Sequence, residues 1–202
     1  FGQDIDAIYV KGSGWDLIDI EPAGLPGLDL NYLRSLRKLN DLDDQSMVNE
    51  LRTHLFQSNS PTPSVETLLH AFLPGKFIDH SHADAILAIC NNIDSDAWIS
   101  DCFGGNLILV PYVMPGFKLA KLAADLFDQS PKSMGMLLLN HGLFTFGESA
   151  KDSYLTHIEL VAQAHKFLME RKKLRLPVSL KFEPKYSSAE VLVALRAALN
   201  AS

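Results

Sequence analysis

KFIDHSH (76–82) and ADAILAICNN (83–92) follow each other directly in the chain, an apolar strand-like run and then a helix-like run. We expect a strand over the first segment and a helix over the second. Residues two apart on a strand project to the same side, so His80 and His82 should point together and Ser81 the opposite way. This geometry suits a His-x-His pair that binds one metal ion. The alternative is a pair of ordinary surface or hydrogen-bonded rings.

Short strands and helices alternate in the same manner along the rest of the chain. Strands are predicted over 7–12, over 106–116 and, as two strands joined at Asn140-His141-Gly142, within 134–147. Helices are predicted over 28–40, 43–57, 64–73, 117–130, 149–174 and 187–200. This order indicates an α/β protein whose mixed sheet is covered by helices.

Length and composition limit the class of protein. The 202 residues suit a single domain over 1–202, and the abrupt opening of the sequence leads us to expect that a native N-terminal segment is missing. A net charge of −6 without a basic stripe disfavours a nucleic-acid partner. No apolar run reaches the roughly 18 residues of a membrane span. Cys90 and Cys102 show no CxxC spacing, which favours a reduced, cytoplasmic protein.

The helix predicted over 64–73 has recognisable start signals. Thr62 is placed to cap it, and Pro63 suits its first position because a missing N–H costs nothing there. Glu66 would lie in the first turn, where the helix dipole favours a carboxylate, and this alone could explain the residue. Free N–H groups at Ser64 and Val65 would also make the helix start a natural site for a phosphate.

His141 raises the expectation of a metal site. It lies between two strongly apolar runs in LLLNHGLF, so its ring is either a hydrogen-bonded turn residue or an inward-pointing ligand. Gly142 allows the backbone to turn there or to approach another group closely. Three imidazoles leave a divalent ion with open positions, as catalytic zinc requires, whereas structural zinc needs four closed ligands.

A second candidate anion site is KGSG, residues 11–14. Its glycines give the backbone the freedom that a tight turn around a ligand needs. Most short glycine-bearing turns bind nothing, so the segment does not decide a function by itself.

Together, KGSGWDL, TPSVETLLH, DHSHAD, VPYVMPG and LLNHGLFTFG resemble the class II aldolase/adducin family, in the same order, from about residue 7 to about residue 170. Within the family, these sequence motifs most resemble the aldolase portion of bacterial rhamnulose-1-phosphate aldolase–dehydrogenase proteins. The resemblance implies a three-layer α/β/α fold with a central mixed, largely antiparallel sheet. It also implies a homotetramer with active sites between subunits.

The resemblance implies roles for four of these residues. His80, His82 and His141 match the zinc-binding histidines of the family, although another divalent metal is an alternative. Glu66 matches the glutamate that acts as acid and base.

Further matches concern phosphate and proton transfer. Ser13 and Gly14 fall on the phosphate loop of the family, and Ser64 falls on a phosphate-binding serine. Tyr112 falls on a tyrosine that some members extend across the subunit interface, the alternative being an ordinary strand aromatic. Two features depart from the pattern: Val65 replaces a second serine, and an upstream Gly-Asn-bearing loop is absent.

The implied activity is that of a zinc-dependent aldolase. Cleavage of a β-hydroxy ketone leaves an enediolate, whose charge a divalent metal stabilises while Glu66 moves the proton. L-rhamnulose 1-phosphate is the expected substrate, with dihydroxyacetone phosphate and L-lactaldehyde as products. Two alternatives stay open: a related metal-enolate enzyme (another aldolase, an epimerase or a decarboxylase) and a non-catalytic binding module like that of adducin.

Overall fold

Apolar runs form a four-stranded sheet in the computed structural model, which describes residue 2 and residues 4–171. The elements in chain order are β1 (Ala7–Tyr9), β2 (Gly27–Asp29), α1 (Leu30–Leu36), α2 (Asp44–Thr53), α3 (Thr67–Phe72), β3 (Phe77–Ser81), α4 (Asp84–Cys90), α5 (Ser95–Phe103), β4 (Leu107–Val110), α6 (Phe117–Gln129), β5 (Gly135–Leu138), β6 (Gly142–Gly147) and α7 (Ala150–Glu170). The chain divides into two compact units, Phe1–Met169 and Glu170–Ser202, and the fold below is that of the first. The helix predicted over 187–200 lies outside the described residues, and the single domain over 1–202 stays a prediction.

The central sheet has the strand order β3-β6-β5-β4. β3 pairs with β6, and β6 with β5, in antiparallel fashion, whereas β5 and β4 are parallel. β1 and β2 form a separate two-stranded antiparallel ribbon. The predicted mixed, largely antiparallel sheet is therefore confirmed.

Helices cover both faces of this sheet because side chains alternate along its strands. Met136 and Phe144 pack on one face, in a core that contains buried residues of α1, α2, α3 and α6. Leu137 and Leu143 pack on the other face, in a core that contains buried residues of α4, α5 and α7. The three-layer α/β/α architecture that the sequence predicted is confirmed. Among the described residues, no helix combines the length and the apolar character needed to cross a bilayer.

Several predicted elements are shorter than expected, and two of them show the physical reason. The helix predicted over 28–40 begins only at Leu30, because Gly27–Asp29 pairs with β1 and the Asp29 side chain then caps the helix. The strand predicted over 106–116 ends at Val110, immediately before a proline that has no N–H for a strand ladder.

The start predicted for α3 is wrong. The Ser13 N–H donates to the Thr62 carbonyl over 2.9 Å, and Gly12 pairs with Pro63 in an isolated bridge. Thr62 and Pro63 are thus held as partners of the 12–13 segment rather than as a cap and a first helical residue. The helix begins at Thr67 instead.

Candidate metal centre

Three separate parts of the chain bring four metal-binding side chains together. His80 lies near the end of β3 and His82 just beyond it, His141 lies in the β5–β6 turn, and Glu66 directly precedes α3. One ligand atom from each of the four lies within 4.8 Å of the other three. The predicted convergence of residue 141 on the pair at 80 and 82 is therefore observed.

The ring of His80 is held on two sides. Its Nδ1 lies 3.0 Å from the Leu143 carbonyl oxygen, so Nδ1–H donates there and Nε2 carries a free lone pair. The ring stacks on the fully buried Phe144 with centroids 3.9 Å apart. Its Nε2 faces the Nε2 of His82 at 2.9 Å. Only 10% of the His80 side chain is exposed, so the ring is more deeply packed than a cleft-surface residue.

A tight turn between β5 and β6 places His141. Asn140 adopts a φ of 56°, in the left-handed region that Asn tolerates better than most residues. The His141 N–H then donates to the Leu138 carbonyl over 3.1 Å. A Cβ at Gly142 would lie 2.5 Å from the Ser81 carbonyl oxygen and 3.0 Å from the His82 ring. Glycine is required there because β6 begins against the backbone of the histidine pair.

Glu66 completes the cluster. Its Oε1 lies 2.6 Å from Nε2 of His141, and its Oε2 lies 3.5 Å from Nε2 of His80. Burial raises the pKa of this carboxyl, but hydrogen bonds from His141 and His80 lower it more, so the net pKa is far below its usual range. In the protein alone Glu66 is thus a carboxylate. The raised pKa expected in a substrate complex stays a prediction.

The donor set suits a divalent cation. Burial, and then the charges that His80 and His141 would carry, lower the pKa of His82 and favour the neutral imidazole that ligates metals. Two ring nitrogens face each other at 2.9 Å beside a carboxylate, and Nδ1 of His141 is buried without a hydrogen-bond partner. A cation among the four side chains would accept the lone pair on Nε2 of His80 and would balance the charge of the Glu66 carboxylate. Three imidazoles and a carboxylate are ligand types that zinc takes.

The two predicted phosphate segments are adjacent. The contacts of Ser13 with Thr62 bring the 11–14 turn beside Ser64, and Gly14 has a φ of 84°, in the region that glycine favours. Ser13 and Gly14 are exposed, while the Ser64 hydroxyl accepts from the Glu66 N–H at 3.2 Å. Their phosphate-binding roles stay predictions.

Tyr112 lies after β4 with 52% of its surface exposed. Its hydroxyl donates to the Met114 sulfur over 3.1 Å. The predicted role of Tyr112 involves a neighbouring copy of the chain and stays a prediction.

Sequence reasoning missed His157, a buried residue of α7 that lies 2.6 Å from the Ser81 hydroxyl. A signal for it was present. His157 shares the buried face of α7 with Ser153, Leu160 and Ala164, and a histidine on such a face needs hydrogen-bond partners inside the protein.

Comparisons with known proteins find a matching family model and a curated relative. The family described as "Class II Aldolase and Adducin N-terminal domain" matches residues 3–168. "Uncharacterized oxidoreductase YuxG" of Bacillus subtilis is 38% identical over 170 residues, which cover 84% of this chain and 25% of that protein. The chain thus spans about a quarter of the length of this relative.

Solved structures share the fold. The N-terminal class II aldolase domain of a conserved protein from Thermoplasma acidophilum is 40% identical, with a TM-score of 0.72 over 78% of this chain and 73% of that one. A sugar-phosphate aldolase from Thermotoga maritima is 16% identical, with a TM-score of 0.56 over 88% and 78% of the two chains. The second likeness shows the fold alone.

Proposed function

The chain belongs to the class II aldolase and adducin family, and from that premise we propose that it is a metal-dependent aldolase that cleaves a ketose 1-phosphate. The observation that carries the proposal is the cluster of His80, His82, His141 and Glu66, with one ligand atom from each within 4.8 Å of the others. A binding module without catalysis has no need of three converging imidazoles and a buried carboxylate.

His80, His82 and His141 would hold the metal, and zinc is the ion we propose. Bound there, it would polarise the ketose carbonyl and stabilise negative charge on its oxygens. Glu66 contacts two of the three histidines and so lies beside any sugar that reaches them. As a carboxylate it would take up the proton that the hydroxyl loses as it becomes the aldehyde, passed on through Tyr112 of a second copy, and it would deliver that proton to the carbon released by cleavage.

Other groups would bind and orient the substrate. Ser13, Gly14 and Ser64 would hold the phosphate, at a distance from the bond that breaks, so that binding energy supports catalysis. Tyr112 of a second copy would exchange a proton with the oxygen that becomes the aldehyde. The proposed enzyme is a cytoplasmic homotetramer, and its mass in solution tests that state.

L-rhamnulose 1-phosphate is the substrate we propose, with dihydroxyacetone phosphate and L-lactaldehyde as products. The sequence resemblance supports it. The B. subtilis relative is compatible with it, because that protein is named an oxidoreductase and this chain matches only 25% of its length, which leaves room for a dehydrogenase portion.

A substrate panel tests the activity and the substrate together. Zinc-loaded protein is given L-rhamnulose 1-phosphate, its stereoisomeric ketose 1-phosphates and a hydroxy-acid aldol, and aldehyde release is followed. We expect the fastest release from L-rhamnulose 1-phosphate and none after the metal is stripped. Faster cleavage of another compound would replace the substrate. Epimerised or decarboxylated products would replace the reaction, and bound metal without turnover on any compound would contradict the aldolase.

A further inference from the structure

A buried hydrogen-bond network lies on the face of β3 opposite the metal cluster. Ser81 Oγ lies 2.6 Å from Nε2 of His157, and Nδ1 of His157 lies 3.0 Å from Oγ1 of Thr145. The Thr145 hydroxyl lies 3.1 Å from the Ser153 carbonyl oxygen. His157, Thr145 and Ser153 are all buried.

The network has one consistent direction. The Thr145 hydroxyl donates to the Ser153 carbonyl, so its oxygen is free to accept from Nδ1–H of His157. Nε2 of His157 then carries a lone pair and accepts from the Ser81 hydroxyl. Each donor meets an acceptor, and the orientation of the His157 ring is fixed from both ends.

Ser81 is the last residue of β3 that pairs with β6. The β3–β6 ladder ends at the pair Ser81 and Leu143, and α4 begins at Asp84. His82 therefore has no strand partner of its own in β6. Ser81, between the two histidines, is the last residue of β3 that the ladder holds, and its side chain is bonded to α7.

We propose that His157 is a positioning residue for the metal site, acting through Ser81 to fix the chain so that His80 and His82 face one point. The inference rests on the proposed function, since it takes the two histidines to be metal ligands. The side-chain hydrogen bonds of His157 go to Ser81 and Thr145 and not to His80 or His82. It acts from the far side of the sheet, by holding the backbone between them.

Cobalt binding tests the proposal without relying on turnover. Ser81→Ala, His157→Leu and the double variant are titrated with Co²⁺ by calorimetry, and the visible spectrum of the bound ion is recorded. Metal-free thermal unfolding is measured in EDTA. His165→Leu, at an exposed histidine of the same helix, is the matched control.

We expect each single variant to bind Co²⁺ about tenfold more weakly, in the range known for groups that orient metal ligands. The spectrum should change, and the double variant should lose little more than either single one, because both remove the same link. His157→Gln, which keeps an acceptor for the Ser81 hydroxyl, should recover part of the affinity.

Two results would overturn the proposal, and they differ. If the variants lose thermal stability but keep the affinity and the spectrum of the unaltered protein, His157 is only structural and the metal site stands. If the unaltered protein binds no Co²⁺, the proposed function fails and the positioning role fails with it. Should His157→Leu not fold, Ser81→Ala alone decides between these results.

Discussion

Histidine side chains lie against both faces of β3, but their ring nitrogens have different partners on the two faces. On one face His157 has a matched partner on each ring nitrogen, Ser81 and Thr145. On the other face, Nε2 of His80 faces Nε2 of His82 beside a carboxylate. A histidine with a complementary partner on each ring nitrogen supports the fold, whereas three imidazoles that converge beside a carboxylate mark a site that suits a cation. Burial alone does not separate the two cases.

Among changes at the metal cluster, removal of the Glu66 carboxylate should have the largest effect on activity. We expect Glu66→Gln to lower kcat by about 10²–10⁴-fold, because a general acid–base group contributes that much. Zinc affinity should change far less, since the three histidines remain. Steady-state kinetics on the substrate found by the panel gives the first value and calorimetry the second.

Glu159→Gln, at an exposed position on α7, is the matched control for this change. A Glu66→Gln protein that turns over at nearly the original rate would remove Glu66 from the proposed mechanism.

Loss of the exposed ligand should come next. We expect His82→Ala to weaken zinc binding at least about 100-fold, more than the loss of a group that only orients a ligand. The metal-free protein should unfold at nearly the same temperature, because His82 is exposed. His80→Ala is the poorer test, since it also removes the stack on Phe144. Unchanged zinc affinity in His82→Ala would exclude His82 as a ligand.

A methyl group added at Gly142, the first residue of β6, should clash with the backbone and the ring of the histidine pair. A Cβ at Gly142 would lie 2.5 Å from the Ser81 carbonyl oxygen, so we expect Gly142→Ala to cost about 1–3 kcal/mol of unfolding free energy and to weaken zinc binding. Gly105→Ala is the control, because a Cβ there meets nothing within 4 Å. Chemical denaturation of the two metal-free variants makes the comparison, and equal stabilities would mean that the turn can relax.

The stability of the fold should fall at acid pH, because buried histidines stay neutral in the folded protein while they are protonated in the unfolded chain. Burial lowers the pKa of His70 to about 4, and burial lowers that of His157 as well. Below pH 6.5 the unfolded chain takes up protons that these folded groups refuse, so stability falls as the pH falls towards 4. For the metal-free protein, we plot the free energy of unfolding against pH. We expect His70→Gln to reduce the slope of this plot by up to about 1.4 kcal/mol per pH unit. Denaturation at several pH values measures it, and a slope equal to that of a His165→Gln control would contradict the expectation.

The sequence predicted those parts of the fold that local patterns determine. The strand and the helix within 76–92 were predicted correctly because apolar spacing is a local property, and Gly142 marked the turn at Asn140 and His141. The start of α3 was missed because the residues before it pair with Gly12 and Ser13, some fifty positions earlier. No local signal reports such a contact.

α5 was missed for a different reason. Its apolar residues Trp98, Ile99, Cys102 and Phe103 have helical spacing, but the acidic residues among them obscured the pattern. The metal cluster was predicted because histidines two apart and a third in a turn are visible in sequence. The hydrogen-bond network of Ser81, His157 and Thr145 was not predicted, because Ser81 and His157 are 76 positions apart in the sequence.

β6 pairs with a neighbour on each side, with β3 along one edge and with β5 along the other. It therefore holds His80 through the cross-strand pair with Phe144 and holds His141 through the turn that precedes it. His80 and His141 therefore keep their positions in the cluster as long as β6 stays paired with β3 and β5. Release of a bound ion during denaturation should then coincide with loss of the sheet in a single transition, and a coloured metal would serve as an optical gauge of folding.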